Sequence, residues 1–109
     1  MNYRHAYHAG NFADVLKHVA LVAALDHLAR KDAPFCYLDT HAGRGFYPLD
    51  APETQRAGEY RDGVLRLLDA DAPPAPVARW LDLVREMGTE GGRLHGYPGS
   101  PRFATACLR

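Results

Sequence analysis

The stretch PFCYLDTHAGRG, residues 34–45, decides how the rest of this 109-residue chain is interpreted. Phe35 to Leu38 form a short apolar run between a proline and an acid, a pattern typical of a buried strand. The run ends at Asp39 and passes directly into a loop that carries Gly43 and Gly45. Ligands of α/β folds collect at the carboxyl ends of parallel strands, where glycines let the backbone approach them. The stretch therefore predicts an α/β fold with a nucleotide-binding loop, and a plain tight turn is the alternative.

Two known nucleotide loops do not fit this segment. The third glycine of the dinucleotide fingerprint is missing, and no Gly-Lys-Ser/Thr follows as in a Walker loop. The remaining common form is the loop after the first strand of S-adenosylmethionine-dependent methyltransferases, in which an acid precedes a short glycine turn.

Composition narrows the protein class without naming a partner. Basic and acidic residues number 13 each, so the net charge of zero gives no reason to expect that the protein binds a polyanion. A local basic face remains compatible with this net charge. The two cysteines, Cys36 and Cys107, lack CxxC spacing and are expected to be reduced. The longest apolar run, Val19 to Leu25, is far shorter than the ~20 residues that span a bilayer. Without the basic-then-apolar pattern of a signal peptide, the expected location is cytoplasmic.

The first helix is expected to run from an Asn11 cap to about Arg30, with Asp14 favouring the positive end of its dipole. Its second half, from Val19 to Leu25, is apolar almost all round. We therefore expect one end to be buried and the other to be functional or merely solvent-facing. The polar stripe of that other end comprises Asp14, Lys17 and His18.

The spacing of apolar residues and the positions of glycine and proline predict the helices and loops of the rest of the chain. Helical spacing extends over residues 54–70, weakened by Gly58 and Gly63. Residues 71–76 (DAPPAP) predict a stiff linker, and residues 76–88 predict an amphipathic helix that ends at Gly88. Residues 89–101 predict a loop, and a last helix is expected to begin at Pro101.

Four blocks of the sequence together resemble one family. They are YRHAYHAGNFADVLKH (residues 3–18), FCYLDTHAGRG (35–45), RAGEY (56–60) and YPGSP (97–101). In this order and at these spacings they resemble the bacterial methyltransferases, of the RlmJ type, that modify an adenine of large-subunit (23S) ribosomal RNA at its exocyclic nitrogen. The resemblance extends from Tyr3 to Arg109 and implies a Rossmann-like fold with S-adenosyl-L-methionine as cofactor.

The resemblance also implies roles for individual residues. Tyr3 corresponds to the substrate-side tyrosine, whose ring and hydroxyl suit a base that leaves its helix to be methylated. His18, His41 and Ser100 correspond to cofactor-contacting positions, and Asp39 and Gly43 belong to the cofactor loop. A hydroxyl just before a helix, as at Ser100, suits the carboxylate of a methionine moiety.

Each of these residues has a purely structural alternative. Tyr3 could be a frayed terminal residue, His18 a partner of Asp14 one turn earlier, His41 a loop residue bonded to backbone, and Ser100 an N-cap. For Arg4, His5, Tyr7 and His8, RNA contact or lid packing is favoured over metal binding, because no acid or cysteine shares the spacing of the histidines.

Three ranges are expected along the chain. Residues 1–47 hold an N-terminal lid, the first helix, the first strand and the glycine loop; residues 48–95 form an inserted helical subdomain; residues 96–109 begin the helix that returns to the methyltransferase core. The apolar face of the insertion comprises Trp80, Leu81, Leu83, Val84 and Met87. Its arginines present either to RNA or to solvent as part of a mixed surface, and they are Arg56, Arg61, Arg66, Arg79 and Arg85.

The catalytic motif of an amino-methyltransferase, Asp/Asn-Pro-Pro-aromatic, is absent. The one Pro-Pro pair, Pro73-Pro74, lies between alanines, and the acid expected to bind the ribose is absent too. We therefore expect the chain to be an N-terminal portion of the enzyme that is marginally stable and inactive alone. The full-length enzyme is expected to be a monomer that acts on ribosomal RNA and requires neither a metal nor a membrane. The contrasting hypothesis is a non-enzymatic helical module that binds RNA or protein.

Overall fold

The computed structural model describes residues 4–108 as a mixed helix and strand domain. Among the described residues no helix has both the length and the apolar character needed to cross a bilayer. The helices are α1 (Phe12–Ala29), α2 (Pro52–Ala57), α3 (Val64–Leu68), α4 (Ala75–Gly88) and α5 (Ser100–Cys107). The strands are β1 (Phe46–Pro48), β2 (Thr89–Glu90), β3 (Arg93–Leu94) and β4 (Gly96–Pro98). Short 3-10 turns occupy His5–Tyr7 and Glu59–Asp62.

Helix α1 begins as predicted but faces the core differently. The Asn11 side chain caps it by accepting the Asp14 backbone N–H at 2.8 Å. The stripe expected at a functional or solvent-facing end is largely inside, because Asp14 is 3% and His18 1% exposed. Phe12 on the same helix is 75% exposed. The helix thus buries two ionisable side chains and presents apolar ones to solvent.

The buried strand predicted at residues 35–38 is wrong for this chain. This segment pairs with neither of the two sheets in residues 4–108. Phe35 and Tyr37 are half-buried against the core, whereas Cys36 and Leu38 are exposed, Leu38 at 83%. A buried parallel strand needs hydrogen-bonded neighbours and cover on both faces, and the described residues supply cover on one face only.

The loop predicted for residues 89–101 is also wrong. Strands β2 and β3 form a hairpin across Gly91 and Gly92, whose φ values of +60° and +78° are those that a two-residue type I′ turn requires. Strand β4 pairs antiparallel with β1, with Tyr47 opposite Tyr97. The second pairing joins residues about fifty positions apart, which no local pattern reveals.

The helical spacing of residues 54–70 is interrupted at both of its glycines. Gly58 adopts the left-handed conformation (φ +66°), and Gly63 precedes α3. At Gly63 the reason is close approach, because a Cβ there would lie 2.1 Å from the Gly10 carbonyl oxygen. That carbonyl accepts the Val64 backbone N–H at 2.9 Å. The predicted helices at residues 76–88 and from residue 101 are confirmed as α4 and α5.

One core joins the three predicted ranges. On α4 the expected apolar face is confirmed, since Trp80, Leu81, Leu83 and Val84 are buried and Met87 packs against them. The same cluster includes Val22 and Leu25 from α1, Tyr97 from β4 and Phe103 from α5. The division of the chain at residues 47 and 95 stays a prediction.

Candidate functional site

A cavity of about 720 Å³ opens between segments that are far apart in the sequence. Small-molecule sites in proteins commonly measure about 300–1,000 Å³. Its walls are residues 4–6, Lys17 and His18 of α1, residues 41–44, Tyr47, Glu53, and Gly99 with Ser100 at the start of α5. The N-terminal segment and the glycine loop, which the sequence predicts to enclose a ligand, therefore face a common hollow.

His18 lies under this cavity with both ring nitrogens engaged. Its Nδ1 lies 2.7 Å from the Tyr97 hydroxyl and its Nε2 lies 3.0 Å from the Ser100 hydroxyl. The alternative pairing with Asp14 is longer, at 3.8 Å from Nε2 to Oδ1. Burial lowers the pKa of His18 to about 4, although the Asp14 carboxylate opposes that shift. The ring is therefore neutral at pH 7, with one nitrogen that donates and one that accepts.

Asp14 is a buried carboxylate that the sequence predicted as a helix-dipole partner and as part of the polar stripe of α1, but not as a buried member of the site. Its Oδ2 accepts the Gly10 N–H at 3.0 Å and lies 2.9 Å from His5 Nε2. Burial alone would raise the pKa of Asp14, but the His5 hydrogen bond and the Gly10 N–H, among other contacts, lower it below its usual value. Its Oδ1 is buried without a hydrogen-bond partner in residues 4–108, 3.7 Å from Lys17 Nζ. The available signal was its position four residues before His18, on the same helical face.

Acids of the same chain hold the N-terminal segment in place. Besides the His5–Asp14 contact, His8 Nδ1 lies 3.0 Å from Glu59 Oε1. Glu59 also accepts from the Asn11 side chain at 3.0 Å, and that bond, followed by the one from His8, lowers the pKa of Glu59. These contacts support packing for the two histidines. Within residues 4–108 no group of three His, Cys, Asp or Glu side chains is arranged to hold a metal ion.

Hydrogen bonds fix the shape of the glycine loop. Asp39 accepts the Tyr37 hydroxyl at 2.8 Å and the His41 backbone N–H at 3.0 Å, and these two bonds lower the pKa of Asp39. Gly43 has φ +67°, and a Cβ there would lie 2.6 Å from the Tyr47 hydroxyl oxygen. That oxygen accepts the Arg44 backbone N–H at 2.9 Å. Gly43 is thus the position at which the loop backbone approaches the cavity wall without a side chain.

The structure brings most of the predicted site residues together. His18, His41, Gly43 and Ser100 line the cavity, whereas Asp39 lies behind the loop and braces it. The ring of exposed His41 bonds the Thr40 hydroxyl at 2.8 Å. Tyr3 lies outside the described residues. The ligand roles of all six residues stay predictions.

Ser100 is not a helix cap in this structure. The N-cap of α5 is Gly99, without a side-chain cap bond, and Ser100 is the first helical residue. Its hydroxyl instead bonds His18 at 3.0 Å. The cap alternative for Ser100 is therefore wrong, and its hydroxyl belongs to the floor of the cavity.

Lys17, from the polar stripe of α1, lines the cavity together with Arg44, Tyr47 and Glu53, which were not predicted as site residues. Tyr47 and Glu53 were missed because they reach the cavity through β1 and α2, which carry no motif. Among the arginines of residues 48–95, Arg79 pairs with Asp26 at 2.9 Å and Arg85 donates to the Leu68 carbonyl at 2.8 Å. Those two arginines fit the mixed-surface alternative.

Comparison with known proteins relates the chain to one group. A family model described as "Ribosomal RNA large subunit methyltransferase D, RlmJ" matches residues 32–109. Proteins named "Ribosomal RNA large subunit methyltransferase J" from Escherichia coli (strain K12) and Haemophilus influenzae are 44% and 42% identical over all 109 residues. The chain spans 39% of the length of each, in the N-terminal part. A crystal structure of a Legionella pneumophila protein superposes with a TM-score of 0.80 at 39% identity, covering 93% of this chain and 36% of that one.

Proposed function

Because this chain belongs to the family described as Ribosomal RNA large subunit methyltransferase D, RlmJ, we propose that its cavity binds S-adenosyl-L-methionine. The whole enzyme would methylate the exocyclic amino group of an adenine in 23S ribosomal RNA. A cytoplasmic, monomeric enzyme that acts without metal is part of the same proposal.

The observation that carries this proposal is the convergence of His18, His41, Gly43 and Ser100 on one cavity. They come from α1, the glycine loop and α5. The family resemblance singled out His18, His41 and Ser100, and the loop pattern singled out Gly43. A purely structural role for each would not require them to share one hollow of about 720 Å³.

The groups in the cavity fit the chemistry of this cofactor. Lys17 and Arg44 are cations that suit a carboxylate, while the Glu53 carboxylate suits a cationic amino or sulfonium group. The absence of a side chain at Gly43 lets the loop backbone pack against the Tyr47 hydroxyl at the cavity wall. When bound, S-adenosyl-L-methionine supplies an activated methyl group for direct transfer to an amino nitrogen.

The residues of this chain would orient the reactants and exclude water. In the proposal, Ser100 binds the carboxylate end of the cofactor, and His41, exposed at the rim, reaches the ribose. Tyr3 would stack on the target base, which has to leave its helix to be methylated.

We infer the Rossmann-like part of the fold from the segment at residues 35–38. Its half-buried Phe35 and Tyr37 alternate with exposed Cys36 and Leu38, as in a strand that is covered on one face. The relatives are about two and a half times as long as this chain. In the complete enzyme, neighbouring strands would pair with this segment and cover Leu38. Lacking the Asp-Pro-Pro-aromatic motif, the 109-residue polypeptide is expected to transfer no methyl group.

Calorimetric titration of the chain with S-adenosylhomocysteine tests the proposal. We expect one site, with affinity reduced at least about tenfold by His41→Ala, which removes a polar contact. His27→Ala, at an exposed position near the end of α1 and outside the cavity, is the matched control. The non-enzymatic hypothesis expects no binding, and unchanged affinity in His41→Ala would remove that residue from the site.

A further inference from the structure

Tyr97 is a buried tyrosine below the cavity wall whose hydroxyl bonds a histidine of the proposed site. Tyr97 is 0% exposed, His18 1% and Ser100 5%. The three side chains form one line of hydrogen bonds, 2.7 Å from the Tyr97 hydroxyl to His18 Nδ1 and 3.0 Å from His18 Nε2 to the Ser100 hydroxyl. Tyr97 does not line the cavity, so it can act there only through His18.

The direction of the first hydrogen bond follows from the available partners. In residues 4–108 the only hydrogen-bond acceptor that the structure gives to the Tyr97 hydroxyl is His18 Nδ1. If Nδ1 carried the proton, the buried tyrosine hydrogen would have no acceptor. The nearby Trp80 indole offers none, because its N–H can only donate. Tyr97 therefore donates and Nδ1 accepts.

The proton of the neutral imidazole then lies on Nε2. The Asp14 Oδ1, 3.8 Å from Nε2, favours the same tautomer through its negative charge. Nε2–H donates to the Ser100 oxygen at 3.0 Å, so the hydrogen of the Ser100 hydroxyl does not point back at the histidine. That hydrogen is left to donate into the cavity, which Ser100 lines.

We propose that Tyr97 is a positioning residue that fixes the His18 tautomer and thereby presents the Ser100 hydroxyl as a hydrogen-bond donor to a carboxylate in the cavity. The identity of that carboxylate as the amino-acid end of the cofactor rests on the proposed function. The tautomer itself does not, since it is a property of the protein without ligand.

The first test is nitrogen-15 NMR of the histidine rings in the chain without ligand. We expect the His18 signals of the Nε2–H tautomer, and the Nδ1–H tautomer would overturn the proposal. This measurement needs no variant. In Tyr97→Phe, which removes only the hydroxyl, we expect the Nδ1–H form to become populated, and an unchanged tautomer would count against Tyr97 as its cause.

The second test compares two ligands by calorimetry. S-adenosylhomocysteine carries the carboxylate, whereas 5′-methylthioadenosine has the same nucleoside and a thioether but no amino-acid end. We expect Tyr97→Phe to weaken the first about tenfold and to leave the second unchanged. Tyr60→Phe is the matched control, because Tyr60 is also buried, bonds Gln55 at 2.9 Å and lies outside the cavity.

The outcomes separate the two proposals. Equal weakening of both ligands in Tyr97→Phe would mean a general structural role and would overturn the positioning role. Absence of binding of either ligand to the unmodified chain would count against the proposed function, and the NMR result would still decide the tautomer. Thermal unfolding of each variant shows whether a lost affinity reflects a lost fold.

Discussion

His18 is expected to make the stability of this chain fall as the pH falls from 7 to 5. Burial lowers the pKa of its ring to about 4 in the folded state, against 6.5 for a solvated histidine, with Asp14 opposing the shift only in part. Between these two values the unfolded chain binds a proton that the folded chain does not. Acid therefore favours unfolding throughout this window, and below pH 4 the loss from this group stops growing.

The size of the effect follows from the two pKa values. By proton linkage, His18 lowers the unfolding free energy by well under 1 kcal/mol at pH 7 and by about 2 kcal/mol at pH 5. Acidification from pH 7 to pH 5 therefore removes roughly 2 kcal/mol of the unfolding free energy. Domains of this size have about 5–15 kcal/mol in total. Asp14 adds little over this range, because its pKa is lowered from 3.8 and its contribution is lost only at more acidic pH.

Urea unfolding at pH 7 and pH 5, followed by the fluorescence of the single tryptophan, measures this difference. Trp80 is fully buried, so its emission reports the loss of the core. The comparison is with His18→Gln, which can still donate and accept hydrogen bonds but does not ionise. We expect the free-energy difference between the two pH values to be smaller in this variant by about 2 kcal/mol, whatever its stability at pH 7.

The control is His27→Gln, the same substitution at an exposed position near the end of the same helix. Because His27 is exposed and is not among the buried residues around His18, this variant is expected to keep the full pH difference. If His18→Gln also kept it, or if NMR showed the His18 ring of the folded chain titrating near pH 6.5, the buried neutral imidazole would be refuted.

Four further substitutions test close packing, helix capping and exposure by urea unfolding. Gly99→Ala would put a Cβ 1.8 Å from the Arg44 carbonyl oxygen, and we expect it to lower the free energy of unfolding by at least about 2 kcal/mol. The control is Gly45→Ala, whose Cβ would meet only the flexible Arg102 side chain, at 3.4 Å, and should lower that free energy by under about 1 kcal/mol. Equal costs would contradict the close approach. Asn11→Ala removes the α1 cap and should cost about 1 kcal/mol, and no loss would mean that the cap bond is not formed in solution. Leu38→Asp, at an 83% exposed position, should change the unfolding free energy by less than about 0.5 kcal/mol and raise the solubility of the chain. A large loss of unfolding free energy in this variant would show that Leu38 is packed within this chain.

Elements specified by neighbours in sequence could be predicted. The Asn11 cap, the amphipathic face around Trp80 and the helix that begins near Pro101 depend on spacing within a few residues, and all three are present. Elements that need a distant partner could not be predicted. The pairing of β1 with β4 and the unpaired state of residues 35–38 depend on which strands the rest of the chain supplies.

The candidate site was predictable where a motif marked it and not where packing made it. His18, His41 and Ser100 stand in recognisable blocks, and the fold brings them to one cavity. No motif marked Tyr97 as the partner of His18, since the two are 79 residues apart and their side chains meet only in the folded chain.

The orientation of α1 itself indicates where function lies. A helix selected for stability alone would bury Phe12 and Leu16 and expose Asp14 and His18. In α1 the opposite holds, because Phe12 is 75% and Leu16 70% exposed, whereas Asp14 is 3% and His18 1% exposed. Burying ionisable groups costs free energy unless they are hydrogen-bonded, and Asp14 Oδ1 lacks even that compensation in residues 4–108. Natural proteins tend to depart from the local rules of stability at functional sites. The inverted face of α1 lies directly under the cavity, so an observation independent of any motif supports the same location for the site.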